Sequence, residues 1–494
     1  MLGWVSRLLT GRAVGASAPR ERLQPQAYSL QPLRARYDAA ATTAENRRHW
    51  ANADLLSANA SNSPAVRRIL RARARYEVAN NSYARGIVLT LANDCVGTGP
   101  RLQLLTDNDN ANRAAEQAFA EWAEAIGLAA KLRTMRMARA ESGEVFGLLT
   151  ANPRVDSPVK LDVGLVESDQ IATPNPSVTG VDGIVFDADG NPVTYHMLRV
   201  HPGDGSALAA TGFDPIPASM MVHYFRADRP GQCRGIPEIT PALPLFAQLR
   251  RYTLAVIAAA ETAADFAAVL YTDAPANGEA DPIEPMDLVE LERRMATVLP
   301  GGWKLGQVTA EQPATTYGEF KQQILNEIAR CLNMPFNIAA GNSSGYNYAS
   351  GRLDHQTYYK SIRVDQSHLG RVVLDPLLAA WLAEATLIDG LLPPALRQRD
   401  RLPPHQWFWD GVEHVDPAKE ATAQATRLAN HTTTLAYEYA RQGRDWEAEL
   451  RQRAKEVALM NELGLAVAQA TPAAPADPNT ENDDEPTAQN QRAA

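Results

Sequence analysis

The first long helical pattern covers residues 51–95. Ser63-Pro64 suits a helix start, because proline fits the first turn of a helix. The apolar residues after it recur at the spacing of one helix face, namely Val66, Ile69, Leu70 and Tyr76. Two further helices are predicted over about 112–124 and 131–140.

The pattern then changes from helices to short strands. Residues 183–187 and 193–198 flank a turn segment with Gly190 at its tip, which predicts a β-hairpin. Other short apolar or alternating runs also predict strands, at 145–149, 161–167 and 220–225. Because strands follow helices within one stretch of chain, this part is predicted to be mixed α and β.

Long helices return after residue 242. The Ala-rich stretch 243–270 has no glycine or proline after Pro244 and predicts one long helix. A second helix is predicted by an apolar stripe that ends at Met334-Pro335. The stripe consists of Phe320, Ile324, Leu325, Ile328, Ala329 and Leu332.

A loop rich in Gly, Ser, Asn and Tyr occupies residues 342–351, and helices are predicted after it. They cover about 352–388 and then lie between 416 and 470. Residues 471–494 have almost no apolar content, so we expect them to be disordered.

Composition indicates a globular chain with more than one core. The chain has 494 residues, of which 45% are hydrophobic and 21% charged. We therefore predict an α+β protein with two or more domains or one elongated subunit. The net charge of -9 argues against a protein that grips nucleic acid by neutralising phosphates. An acidic protein can still surround DNA that slides through it.

Three cysteines, Cys95, Cys233 and Cys331, lie far apart in the sequence. Neither a disulfide framework nor a cysteine zinc site is expected from them, and a reducing cytoplasm is the simplest setting. Arginines interrupt the N-terminal apolar residues, which argues against a signal peptide. The longest apolar run, residues 252–271, is too short and too acidic for a membrane span.

The sequence carries no common catalytic or nucleotide-binding motif. Ser142 and Glu144 could suggest a nucleophile beside a carboxylate, but we expect no histidine to accompany them and predict that they start a strand. A group of metal-capable residues fits no zinc spacing, and we predict polar surface positions for it. That group is His405, Asp410, Glu413, His414 and Asp416. We predict no catalytic residue, no metal site and no cofactor.

Two acids lie four residues apart on the Ala-rich helix, Glu261 and Asp265, and so share one face. They indicate either the solvated face of a surface helix or a ring of acids that lines the channel of an oligomer. Like charge facing DNA would keep its movement smooth.

The loop at 342–351 contains two tyrosines and flexible small residues but no acid, base or metal-ligand cluster. It is either an exposed connector or a mobile loop that contacts a polymer through neutral hydrogen bonds and aromatic faces.

Several short segments occur in a distinctive order and spacing. The most informative are DPAKEATA (416–423), GRDWE (443–447) and RAKE (453–456). The others are NNSYARG (80–86), GTGP (97–100), SGEVF (142–146), the hairpin at 183–198, HYFRADRPGQ (223–232), RGIP (234–237) and YNYASGR (346–352). Together, these segments resemble portal proteins of lambda-type tailed phages.

This resemblance implies a ring, typically of twelve subunits, at one capsid vertex, with a central channel for packaging and ejection of double-stranded DNA. The implied partners are other copies of the chain, the terminase large subunit, a head–tail adaptor, and the major capsid and scaffolding proteins. DNA passes without sequence-specific contact, and no membrane is involved. The resemblance implies no enzymatic activity, assembly in the bacterial cytoplasm and a final place in the virion.

The resemblance also assigns regions. They are an N-terminal arm (1–50), a mixed α/β wing (51–242), a first stem helix (243–270), a clip (271–315), a second stem helix (316–334), a tunnel loop (about 339–351) with a long wing helix (within 335–415), crown helices (416–470) and an acidic disordered tail (471–494). Glu261 and Asp265 then lie near the channel. The tunnel-loop residues are Asn342, Ser343, Ser344, Gly345, Tyr346, Asn347, Tyr348 and Arg352. Here the loop reads Tyr-Ala-Ser-Gly-Arg where many relatives have Tyr-Ser-Ser-x-Arg, which changes a local hydroxyl contact.

Two alternatives remain at the level of sequence. The chain could be another phage head–tail connector ring component, although such adaptors are usually much shorter. A metal-dependent DNA-processing enzyme would need clustered carboxylates for metal ions.

Overall fold

The computed structural model describes residues 43–44, 46–174, 180–204, 212–265, 269–272, 303–306, 314–345, 347–397, 401–411 and 417–465. The chain divides into two compact units, residues 1–56 and 57–494. In the first unit, Thr43 and Asn46 each accept a hydrogen bond from the other's backbone N–H.

Helices make up most of the second unit. The described helices before residue 300 are α1 (Ala58–Ser61), α2 (Pro64–Asn80), α3 (Ser82–Val96), α4 (Asp109–Ala125), α5 (Leu128–Ser142) and α6 (Leu243–Asp265). Those after it are α7 (Ala314–Arg330), α8 (Phe336–Ala340), α9 (Tyr348–Leu369), α10 (Asp375–Ala385), α11 (Pro394–Arg397), α12 (Pro417–Ala429), α13 (Leu435–Arg441) and α14 (Trp446–Glu462). A π-helical turn at Gly370–Leu374 joins α9 to α10. Among the described residues, no helix is long and apolar enough to cross a membrane.

The described strands form four small antiparallel sheets. Their orders are β1-β10, β3-β2-β7, β4-β5-β6 and β8-β9. The strands are β1 (Arg101–Leu104), β2 (Glu144–Ala151), β3 (Leu161–Val166), β4 (Ile184–Phe186), β5 (Pro192–Leu198), β6 (Phe213–Pro217), β7 (Met221–Phe225), β8 (Val269–Thr272), β9 (Trp303–Gly306) and β10 (His405–Phe408). The mixed α and β composition predicted from the sequence is confirmed.

The predicted hairpin is confirmed as β4 and β5. Gly190 has φ +88° at its tip, a left-handed conformation that glycine adopts without strain. The helix predicted over 243–270 is wrong at its end: α6 ends at Asp265, and residues 269–272 form β8 against β9. Sequence periodicity could not show this, because a short apolar run fits a helix and a strand equally well.

The apolar stripe predicted on α2 lies mostly on the outside of the protein. Val66, Ile69 and Tyr76 are exposed and Leu70 is half-buried, whereas the buried face carries Arg67, Arg71, Ala74, Glu77 and Val78. The arginines are inside because carboxylates from remote segments pair with them. The helix itself is confirmed, but its buried face is partly charged and is not the one that the apolar spacing predicted.

Two large hydrophobic clusters hold the unit together. The first packs α4, α5, β2, β3 and α10 around Trp122 and Trp381, both of which are fully buried. The second packs α2, α3, α6, α7, α8 and α9 around Phe246 and Tyr358. Because α6 and α7 reach this second cluster at one end only, their other ends extend away from it.

Candidate functional site

Residues 226–242 connect β7 to α6 and insert two charged side chains into the interior. Arg234 is fully buried, and its guanidinium forms an ion pair with Glu144 at 2.7 Å. The Glu144 carboxylate also accepts hydrogen bonds from Arg71 and from the backbone N–H of Gly235. This carboxylate therefore ties α2 and the connecting segment to the start of β2.

His223 on β7 is the fourth group on Glu144, with its Nε2 at 2.9 Å from the carboxylate. The imidazole is stacked between Phe146 and Phe225, each with ring centroids at 4.3 Å. Burial lowers the pKa of His223, and the nearby arginines reinforce that effect against the attraction of Glu144. Burial alone would raise the pKa of Glu144, but Arg234, His223 and Arg71 hold it well below its ordinary range.

Glu238 forms the second buried charge cluster, directly before α6. Its two oxygens accept from Arg136 at 2.8 Å and from Arg139 at 2.9 Å, both on α5. The same two guanidinium groups bond Asp365 on α9, at 2.8 and 2.9 Å. Burial would raise the pKa of Glu238, but the surrounding arginines lower it to about 2. These two arginines and two carboxylates, with Arg226 as a further partner of Glu238 at 3.3 Å, join the base of α6 to α9.

Helices α6 and α7 form an antiparallel pair beyond this joint. Tyr252 on α6 packs on Phe320 with ring centroids at 4.9 Å and on Tyr317 at 5.7 Å. Neighbouring apolar residues have no such cover, because Leu254 is 60% exposed and Ile257 is 48% exposed. The described residues therefore leave apolar surface uncovered on this face of α6.

The two predicted stem acids are on this part of α6. Glu261 is exposed and lies on the same helix face as Leu254 and Ile257. Asp265 is the last residue of α6. Both acids therefore belong to the distal half of the helix, beyond the residues that pack in the core.

The predicted tunnel loop lies between α8 and α9. Gly341 ends α8 with φ +63°, and the Asn342 side chain accepts from the backbone N–H of Ser344 at 2.9 Å. The loop is fixed at its base, where Asn337 on α8 donates to His355 on α9 at 2.9 Å. The loop thus starts and ends on packed helices.

The predicted loop residues have the following positions. Asn342, Ser343, Ser344, Gly345 and Asn347 are exposed, as is Arg352 in the first turns of α9. Tyr348 is the first residue of α9, and Tyr346 lies outside the described residues. The described residues between 342 and 347 lie on the loop, whereas Tyr348 and Arg352 are already on α9, so the predicted end of the loop at residue 351 is wrong. Glu261 and Asp265 are on a different element, α6.

The C-terminal helices α12 to α14 join the rest of the unit at a close contact. A Cβ added to Gly443 would lie 2.4 Å from the carbonyl oxygen of Trp409, and one added to Gly411 would meet Gln442 at the same distance. Asp410 accepts from the backbone N–H of Thr98 at 2.6 Å and from its hydroxyl at 2.8 Å. Asp410 is exposed, as predicted, and these two hydrogen bonds connect it to Thr98.

The other metal-capable residues do not assemble into a metal centre in the described part of the chain. His405 Nε2 is 3.1 Å from Asp375, which also accepts from Trp407. Glu413, His414 and Asp416 lie outside the described residues.

Glu167, Asp169 and His201 bring possible metal ligands within 4.8 Å of one another. Arg75 already pairs with both carboxylates, at 3.2 and 2.7 Å. The Nδ1 atom of His201 accepts from the backbone N–H of Gly203, so its proton is on Nε2, toward Glu167. This cluster is therefore an ion-pair network.

Sequence reasoning missed both buried charge clusters. Ser142 and Glu144 were predicted to begin a strand, and β2 does begin at Glu144. The prediction that no histidine accompanies them is wrong, because β7 brings His223 to Glu144. Arginines at helical spacing on α2 and α5 were the available signal, but no pattern in the sequence shows which distant carboxylates pair with them.

The chain is similar to proteins of known class. The family model described as "Phage portal protein, lambda family" matches residues 44–366. A "Probable portal protein" of Halomonas phage phiHAP-1 is 26% identical over 454 residues, covering 85% of this chain and 86% of that protein.

Solved structures give more distant similarities. A chain from the neck of a native gene transfer agent particle, computed with C12 symmetry, is 15% identical with TM-score 0.44, covering 75% of this chain and 90% of that chain. A portal protein of the HK97 family from Corynebacterium diphtheriae is 11% identical with TM-score 0.28, covering 71% and 96%.

The family match supports the assignment, because it extends from residue 44, before α1, to residue 366, near the end of α9. This agrees with the resemblance found in the short segments and favours it over a head–tail adaptor. The chain belongs to the lambda family of phage portal proteins.

Proposed function

We propose that copies of this portal protein form a closed ring, of twelve subunits, at one vertex of a phage head, and that double-stranded DNA passes through its centre. Family membership supports the portal role, and the exposed apolar face of α6 supports the ring. Leu254 and Ile257 would remain in water in a monomer, whereas a neighbouring protomer would cover them. The proposal assigns no reaction to the chain.

The proposed regions of the portal follow one another along the chain. The wing is the mixed α and β part up to residue 242, α6 and α7 are the stem, and α12 to α14 are the crown. The clip at about 271–315 lies largely outside the described residues. The proposed partners at the ends of the ring are the terminase large subunit, a head–tail adaptor, and the capsid and scaffolding proteins.

The loop between α8 and α9 is the proposed contact with DNA. Its exposed residues are neutral apart from Arg352 at the start of α9, so it would touch a moving polyanion without holding it. The role of Glu261 and Asp265 depends on which face of α6 turns toward the ring axis. If these acids face the channel, they repel the DNA backbone and reduce sticking.

A loop replacement tests the DNA role. Residues 342–347 are changed to glycines, which preserves α9 because that helix begins at Tyr348. We expect normal rings but a loss of DNA packaging in particles that carry the variant. The control changes the exposed hairpin residues Ala188 and Asp189 to glycines and should package DNA normally. Normal packaging by the loop variant would contradict the proposed contact.

A further inference from the structure

The stem pair carries two opposite charges at one level that do not pair with each other. Arg251 precedes Tyr252 on α6, and Glu319 precedes Phe320 on α7. Tyr252 and Phe320 are in contact at 4.9 Å, so the two charged residues lie at the same level of the helix pair. Both are exposed, and neither forms an ion pair with any residue in the described ranges.

Apolar surface accompanies each charge. Leu254 and Ile257 follow Arg251 on α6, and Phe320 beside Glu319 on α7 is 49% exposed although it contacts Tyr252. The protomer therefore has two different patches on its stem: a basic patch (Arg251, Leu254, Ile257) and an acidic patch (Glu319, Phe320). Each combines exposed apolar area with one charge that has no partner among the described residues.

A cyclic ring needs two different and complementary patches on each protomer. Neighbours in a ring contact each other through two different patches, one on each side of the protomer. Rotation about the ring axis leaves the height of every residue unchanged, so residues in contact across the interface must lie at nearly the same height. Arg251 and Glu319 satisfy this condition in an upright stem.

We infer that the basic patch of one protomer binds the acidic patch of the next, with Arg251 paired to Glu319 of the neighbouring copy. This inference rests on the proposed ring. It also turns Glu261, which shares the face of Leu254 and Ile257, toward the neighbouring protomer and away from the DNA path. A channel-lining role for Glu261 would then be excluded in favour of a role between subunits.

Charge reversal tests the pairing. Arg251→Glu alone and Glu319→Arg alone place like charges at every interface of the ring. Each variant should raise the protein concentration needed for half-maximal ring assembly by at least about tenfold, because like charges across an interface oppose binding. The double variant Arg251→Glu/Glu319→Arg should restore assembly. Glu124→Lys, at an exposed position on α4, is the control and should assemble like the native protein.

A mixture of the two single variants gives the sharpest result. If the two proteins alternate around the ring, every interface again joins opposite charges. Native mass spectrometry should then show rings with equal numbers of both variants. Single variants that assemble like the native protein would overturn the inference, as would a mixture and a double variant that both fail to assemble. A native protein that forms no ring would instead overturn the proposed function.

Discussion

Among the residues that the structure describes, five arginines are almost fully buried: Arg67, Arg71, Arg136, Arg139 and Arg234. Each pairs with a carboxylate from a segment distant in sequence. A buried ion pair contributes little net stability, but removing one partner costs several kcal/mol because the other charge is left uncompensated. These residues therefore fix how the segments meet more than they strengthen the fold.

The pH dependence of stability is expected to follow from Glu238. Its pKa is about 2 in the folded protein and 4.5 as an ordinary glutamate, so the unfolded chain binds more protons in between. Ionised Glu238 therefore contributes roughly 3 kcal/mol to the free energy of unfolding. This contribution is present above pH 4.5 and is lost as the pH falls toward 2. Denaturant titrations at several pH values would measure it.

The variant Glu238→Gln tests whether Glu238 causes this pH dependence. It should be less stable than the native protein at pH 7, because Arg136 and Arg139 lose a charged partner. Its free energy of unfolding should also fall less steeply below pH 4.5. An identical acid slope in both proteins would show that Glu238 is not the titrating group.

Two tryptophans in the first hydrophobic cluster differ in whether the indole N–H donates a hydrogen bond. Trp122 Nε1 donates to the carbonyl of Leu161 at 2.9 Å, whereas Trp381 Nε1 has no acceptor among the described residues. Both side chains have zero exposure, so replacement by Phe removes similar apolar area. Trp122→Phe should cost about 1 kcal/mol more than Trp381→Phe, because it leaves the Leu161 carbonyl unpaired. Thermal or denaturant unfolding would measure both; equal costs would contradict the assigned hydrogen bond.

At the scale of elements, the close contact between Gly443 and Trp409 sets the position of the C-terminal helices. Gly443→Ala would place a methyl group against the Trp409 carbonyl and would also strain a φ of +71°. Faster hydrogen exchange is expected throughout α13 and α14, because these helices would separate from the rest of the unit.

The variant Gly464→Ala separates the effect of the contact with Trp409 from the effect of backbone strain. Gly464 has nearly the same φ, +69°, but an added Cβ would have no atom within 4 Å. Its effect should be local, about 1 kcal/mol of backbone strain at the end of α14. If both variants raised exchange in α13 equally, contact with Trp409 would not be what holds these helices.

Elements with a strong local signal could be predicted from the sequence. Helices α4, α5 and α7 and the hairpin of β4 and β5 follow from apolar spacing and from Gly190. The orientation of α2 could not be predicted, because its inner face depends on Glu144 and Asp182, which are far away in the sequence. The end of α6 was missed for a similar reason, since β8 exists through its pairing with β9.

At the scale of the whole molecule, the class of the protein was accessible from sequence because many weak segment matches occurred in one order. The candidate loop was predicted from its composition, and its described residues are exposed between α8 and α9, although it ends before Tyr348 and not at residue 351. Its contact with DNA stays a prediction. Which face of α6 meets which partner could not be predicted, because the rotation of a helix about its axis is set by packing. The structure adds the exposed apolar residues and the unpaired charges on which the subunit contact is argued.

The central claim is that this chain closes into a ring with a channel for duplex DNA. Electron microscopy of the purified full-length protein, with two-dimensional averaging over a range of concentrations, tests it most directly. The account predicts rings of a single subunit number with a central opening of about 20 Å or more, enough for a DNA duplex. Monomers or dimers at every concentration, with or without scaffolding protein, would contradict it.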